Sequence, residues 1–252
     1  MSAVALCKDR KKRAFTYINT RIEEGVFEPG ARLDVNVLAK TIRTSSTPVR
    51  EALSALESIG VVELLPRFGP VVRKMTPEQV GHLYELRESL ECFAAEKAAE
   101  RRTDAHLAEL RRHCDIMRAM LKRRPRNREA QSMEDTGWVA ADFAFHHTLL
   151  EASGNGELIR MAKQCQLLTK ICRIGIRAAM SERELWNGRF LTWWTHARIY
   201  RAVQRRLPEE AGRRLRSHLR GAKELTVFAI QQQMFMESPR EDLARVRDME
   251  TL

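Results

Sequence analysis

The chain has 252 residues, enough for one large domain or two small ones around a real buried core. A hydrophobic content of 44% with only 12 glycines and 8 prolines excludes a fibrous or low-complexity chain. Lysine and arginine number 44 against 33 aspartates and glutamates, and the resulting formal charge of +11 favours a polyanionic partner, nucleic acid or an anionic membrane surface. No run of 18 apolar residues is present, so no membrane span is expected. The opening "MSAVALCKDRKKRAF" places its charges after an apolar stretch too short for a secretory signal, which makes the expected location cytoplasmic. The five cysteines (Cys7, Cys92, Cys114, Cys165, Cys172) are odd in number and form no CxxC, which argues against a disulfide framework and excludes a cysteine zinc knuckle.

In chain order, Phe15, Ile18 and Ile22 recur at helical spacing and predict a helix over 10–25, stopped by Gly25 and "FEPG". Leu33, Val37, Leu38 and Ile42 predict a second helix from about Val35 to Ile42, with Asp34 as its N-cap. After the polar break "RTSS", Thr47 is the expected N-cap of a third helix, with Pro48 in its first position. Val49, Ala52, Leu53, Leu56 and Ile59 form its apolar stripe, and Gly60 suits the residue just past its end. The period then changes: "VVELL" and "PVVRKM" flank "PRFG" and read as a β-hairpin turning at Gly69. Three helices and a hairpin make a winged helix-turn-helix. Everything after Thr76 reads as helix, over 77–100, 104–123, about 137–153, 156–180, 182–206 and 208–235. "KRRPRNREAQSMED" reads as a charged loop, Pro208 fixes the last turn, and the residues after Pro239 read as a charged, exposed tail. The fold class is thus mainly α: a winged helix-turn-helix over 1–75, an all-α helical bundle over 76–237 and a tail over 238–252.

The start of the third helix gathers donors: Ser45, Ser46, Thr47 and, off the apolar stripe, Arg50. In a helix-turn-helix this end enters the major groove, where free N–H groups and the helix dipole meet phosphates and an arginine reaches a guanine edge. Plain capping explains hydroxyls at many helix starts, but the basic charge and the following hairpin favour contact with double-stranded DNA. A wing carrying Arg67, Arg73 and Lys74 would lie beside the duplex backbone, and "DRKKR" adds further cations. The run "VFEPGARL…LAKTIRTSSTPVREALSALESIGVVELLPRFGPVV" resembles the winged-helix half of the GntR family of bacterial transcription regulators. The resemblance covers about residues 10–75 and implies operator binding through Ser45, Ser46, Thr47, Arg50, Arg67 and Gly69. The family usually has arginine where Ser46 stands, which alters the expected base preference; Arg50 is retained.

Of the seven histidines, three combine with an aspartate. Asp142 and His146 lie four apart, on one face of a helix. His196 and His218 lie 22 apart with Leu207 midway, so a chain reversal at Leu207–Pro208 brings them to one height of an antiparallel pair. Imidazoles and a carboxylate projecting into a bundle hold a divalent metal, and Zn, Ni, Mn and Fe(II) all suit this set. Separate core or surface histidines are the alternative. His147 points about 100 degrees away from His146 and is a poor ligand. The stretches "DFAFHHTLLEASGN" and "THARIYRAVQRRLPEEAGRRLRSHL" are similar to the all-helical FCD-type effector domain of the FadR-like branch. That resemblance covers about residues 76–235 and implies that Asp142, His146, His196 and His218 are the metal ligands, with Thr195 where glutamate is usual. It also implies a small organic acid as effector, held by the metal and by an arginine from the "LYELRESLE" segment, here Arg87, with Arg173 and Arg177 as weaker candidates. For Arg87 a surface ion pair with Glu91 is the competing expectation.

The expectation for the whole chain is a homodimeric, effector-controlled regulator, by default a repressor, and not an enzyme. Two alternatives stand beside it. One is a metal-independent regulator responding to an acyl thioester. The other is a metal-dependent hydrolase, disfavoured by the absence of a general base at a spacing such as HExxH.

Overall fold

The computed structural model describes residues 3–123, 128–175 and 181–249, with side chains from 9–123, 136–173 and 181–236. The described residues form two compact units, one from those up to Met75 with Lys170–Gly175, the other from those of Thr76–Thr169 and from Ser181 onward. The fold is mainly α, a winged helix-turn-helix followed by an all-helical domain.

In the first unit, α1 (Ala3–Glu23) lays Ala14, Ile18 and Ile22 against α3 (Ser46–Ser58). Helix α2 (Val35–Ile42) starts as expected, with the Asp34 carboxylate accepting from the amides of Asn36 and Val37. It ends at Arg43, whose left-handed backbone (φ 58°) turns the chain toward α3. Helix α3 begins at Ser46, not after Thr47: Ser45 is the N-cap, and Thr47 and Pro48 sit inside the first turn. A proline fits anywhere in that turn because the first amides of a helix have no carbonyl to meet. Pro48, Val49, Ala52, Leu53 and Leu56 are buried, and Gly60 follows the helix end at φ 77°. Strands β1 (Val62–Leu65) and β2 (Gly69–Val72) pair antiparallel, with Leu65 opposite Gly69. The hairpin turn contains two left-handed residues, Arg67 (φ 69°) and Gly69 (φ 83°). A further pairing was not foreseen: the stretch between α1 and α2 adds to the wing, with a bridge between Arg32 and Val71 and an amide bond from Leu33 to the Pro70 carbonyl of 2.8 Å.

The second unit contains α4 (Pro77–Arg101), α5 (Asp104–Leu121), α6 (Arg128–Ala152), the part of α7 (Gly156–Gly175) up to Thr169, α8 (Glu182–Gln204) and α9 (Pro208–Met249). Reciprocal capping boxes open α4 (Thr76 with Gln79), α5 (Thr103 with His106) and α8 (Ser181 with Glu184), satisfying amides that would otherwise lack partners. Helix α4 packs along α9 and against α6 and α8, while α5 packs against α6 and α8. Two expectations need correction. The charged loop is helical from Arg128, because arginine, glutamate, alanine, glutamine and methionine are strong helix formers whatever their charge. Helix α9 continues through Met249, so the charged tail prolongs a helix. Among the described residues no helix is long and apolar enough to cross a membrane.

Candidate functional site

The start of α3 is open. Ser45, Thr47 and Arg50 are exposed and Ser46 is half-buried, while Pro48 and Val49 anchor the same turn in the core. Ser45 makes no side-chain capping bond. Arg67 and Phe68 stand exposed at the wing tip, with Gly69 half-buried beside them. Arg73 behaves differently from the expected backbone-facing cation: it pairs with Glu63 across the hairpin at 3.2 Å. In "DRKKR", Arg13 bonds the Ile42 carbonyl at the end of α2 and so serves the packing of the head.

The four residues of the histidine and aspartate set come together. Asp142 and His146 stand one turn apart on α6, His196 lies on α8 and His218 on α9. All four are buried, and one ligand atom from each lies within 4.8 Å of the others. His196 Nε2 is 3.2 Å from Asp142 Oδ1, and His146 Nε2 is 3.3 Å from His218 Nε2. The reversal near Leu207 works as the spacing requires, with the His196 and His218 rings 4.5 Å apart at their centroids. His147 points away and meets Glu151 at 3.4 Å.

Each imidazole is held from outside through Nδ1. His146 Nδ1 meets Glu91 Oε2 at 2.7 Å, His196 Nδ1 meets the Thr192 carbonyl at 2.7 Å, and His218 Nδ1 meets Thr195 Oγ1 at 3.0 Å. Nε2 is then the nitrogen that each ring turns inward, His146 and His218 toward each other and His196 toward Asp142. Phe145 packs edge-on against His196, with ring centroids 4.3 Å apart. Three imidazoles and one carboxylate form a borderline donor set suited to Zn, Ni, Mn or Fe(II). Two of the separations among the ligand atoms, 3.2 and 3.3 Å, are close to the edge of about 3.3 Å that tetrahedral bonds of 2.0–2.1 Å generate, and none exceeds 4.8 Å. The residues therefore fit a divalent metal.

Glu91 is the residue that the sequence reading treated only as a surface partner. Arg87 does pair with it, but in the core: Arg87 Nε donates to Glu91 Oε1 at 2.7 Å, and the residues are 2% and 1% exposed. Arg87 also lies over the rings of Tyr84 and Phe143, at 5.3 and 5.0 Å. Burial alone would raise the Glu91 carboxyl, but the Arg87 charge and the His146 ring outweigh it and hold the group at about 2. For Arg87, burial opposes the charge, yet Glu91 more than offsets it and moves the guanidinium above its ordinary value. A signal for this pair existed. Val80, Tyr84, Arg87, Glu91, Ala94 and Ala98 follow one buried heptad stripe, so both charges occupy core positions. Arg173 lies in the last turn of α7, within the stretch that groups with the head, and Arg177 lies outside the described residues.

Between α8 and α9 runs an open groove of about 700 Å³. Thr195 and His218 line it, along with Ser217 and the arginines Arg213, Arg216 and Arg220. The groove therefore reaches one member of the buried cluster from solvent.

The family model of bacterial regulatory proteins, gntR family, matches residues 10–72, and that of the FCD domain matches residues 82–221. The HTH-type transcriptional regulator LutR of Bacillus subtilis is 30% identical over 227 residues, covering 81% of this chain and 95% of that protein. The HTH-type transcriptional repressor NanR of Klebsiella aerogenes is 27% identical, with 79% of this chain and 78% of that protein covered. Among solved structures, E. coli McbR/YncC shares the fold with a TM-score of 0.71 at 21% identity, over 89% of this chain and 98% of that one. The chain belongs to the GntR family of bacterial transcriptional regulators, as an FCD-domain member whose winged helix-turn-helix binds DNA, and is a regulator rather than an enzyme.

Proposed function

We propose that the chain is a homodimeric repressor whose hold on its operator is set by a small organic acid bound beside a divalent metal. The carrying observation is the buried meeting of Asp142, His146, His196 and His218, with an outer partner on the Nδ1 of every imidazole. These four residues would hold the metal, which supplies a Lewis-acidic point of attachment for a carboxylate. Arg87, the buried cation next along the wall and electrostatically linked to Asp142, favours an anion there while its Nε edge stays with Glu91. The groove beside His218 gives an acid a route toward the cluster, lined by Glu224 and by Arg213, Arg216 and Arg220, which pair with Glu210 and Glu88.

Residues 1–75 form the DNA-binding head in this reading, residues 76–237 the sensing and dimerising domain, and 238–252 a charged extension. Ser45, Ser46, Thr47 and Arg50 enter the major groove of a half-site, and Arg67 with Gly69 brings the wing to the adjacent backbone. Two heads on one dimer read two half-sites. The acid releases the operator only by as much as it prefers the arrangement of heads that fits DNA poorly. Repression is the direction chosen because NanR carries that description.

The test is a thermal-shift screen of small carboxylates with and without Zn²⁺, followed by gel shift on the chain's own promoter region. A stabilising acid should require metal, lose its effect in Asp142→Ala and His196→Ala, and weaken the shifted complex. Stabilisation that persists in a metal-stripped protein would overturn the metal-dependent part of the reading and favour an acyl-type effector instead.

A further inference from the structure

We propose that Glu91, held in place by Arg87, is the positioning residue that fixes which nitrogen His146 presents to the centre. This rests on the reading of the cluster as a metal site and adds to it a residue outside the ligand set. An ionised carboxylate only accepts hydrogen bonds, so its 2.7 Å contact pins the His146 proton on Nδ1 and leaves the Nε2 lone pair facing inward.

Three features separate this from an ordinary buried ion pair. The pair sits on two core positions of α4, where a buried ion pair is often no more stabilising than apolar residues of similar volume. The carboxylate is shared: Oε1 takes the Arg87 Nε donor, while Oε2 takes His146 Nδ1 at 2.7 Å and the Arg87 Nη2 donor at a longer 3.3 Å. The His146 contact also joins α4 to α6 across 55 residues, to a ring already confined by Phe145 and His196. Arg87 in turn keeps Glu91 charged inside the protein and lies wedged over Tyr84 and Phe143. The guanidinium edge best shaped for a bidentate grip on an effector carboxylate is thus occupied by Glu91. Arg87 acts on the site through Glu91 and His146.

Two double variants isolate the effect, because neither leaves a lone buried charge. Arg87→Met/Glu91→Gln keeps an acceptor oxygen for His146, whereas Arg87→Met/Glu91→Leu removes it. Both are first checked for native helix content and for a cooperative melting transition like the parent's. Metal affinity is then measured by competition between Zn²⁺ and a chromophoric chelator. The glutamine variant should stay within about threefold of the parent, and the leucine variant should weaken by about 10–100-fold. A second readout uses ¹⁵N chemical shifts of the metal-free protein, with His146 assigned by loss of its signals in His146→Gln. The parent and the glutamine variant should carry the proton on Nδ1, and the leucine variant should not. Equal zinc affinities for the two variants, or a proton on Nε2 in the parent, would overturn the proposal. The tautomer of the parent needs no variant, so a poorly folding double variant leaves it testable. A parent that binds no zinc yet shows the Glu91-dependent tautomer refutes the metal reading and supports the positioning role.

Discussion

The two working regions of this regulator place their polar groups in opposite settings. In the head, Ser45, Thr47, Arg50 and Arg67 stand in solvent on a scaffold whose core is apolar. In the helical domain, Asp142, His146, His196, Glu91 and Arg87 are enclosed by the scaffold and form part of its interior. Exposed groups add little to folding and can be spent wholly on a partner. Enclosed groups must satisfy one another before they serve a ligand, so recognition and stability are inseparable there. The difference teaches where each kind of damage should appear.

The largest effect should come from Arg87→Met, which strands the Glu91 carboxylate in the core. Thermal or urea unfolding should show a loss of about 3–5 kcal/mol, and a loss under 1 kcal/mol would mean that the enclosed region tolerates polar vacancies as the head does. Arg50→Ala should do the reverse. Its melting curve should stay within about 0.5 kcal/mol of the parent, while fluorescence anisotropy on the operator should show weakening by about 1–3 kcal/mol with relaxed sequence preference. Arg67→Ala should weaken operator and random duplex alike and reduce the slope of log affinity against log salt by about 1. An unchanged slope would remove the wing tip from the DNA contact.

The smallest effect concerns a pair of intermediate burial. Glu88 on α4 meets Arg220 at 2.8 Å and Arg216 at 3.3 Å on α9. The hydrogen bond from Arg220 holds its carboxyl below the ordinary range, ahead of the charges of Arg220 and Arg216. A lowered carboxyl adds stability that is complete above the unfolded-state value, about 4.3, and is lost as pH falls through the folded-state value. Glu88→Gln should therefore cost no more than about 1 kcal/mol at neutral pH and nothing in strong acid. A cost that persisted in acid would show that packing, and not charge, joins these helices.

Legibility in the sequence follows the same division. Helices α2 and α3 and the hairpin are local objects, so Asp34, Gly60 and Gly69 mark their limits within a few residues. Spacing alone paired Asp142 with His146 and, through the reversal, His196 with His218; that the two pairs meet was implied by the resemblance to the FCD-type domain. What stayed hidden was long-range. No pattern announces that Arg32 bridges to Val71 or that Glu91 reaches His146, since each contact depends on how separate elements dock. The start of α6 was misread for another reason: "REAQSMED" is polar enough for a loop, yet its residues favour helix, and propensity prevailed.

The three outer partners of the imidazoles differ in chemical character. A carboxylate and a backbone carbonyl accept without choice, so His146 and His196 each have their proton assigned. The Thr195 hydroxyl gives its one proton to the Leu191 and Thr192 carbonyls, at 2.9 and 2.8 Å, so toward His218 Nδ1, 3.0 Å away, its oxygen accepts. His218 is also the imidazole that borders the open groove. The ring nearest solvent is thus the one held by a neutral hydroxyl anchored to its own helix, while the ring held by a charge is buried deeper.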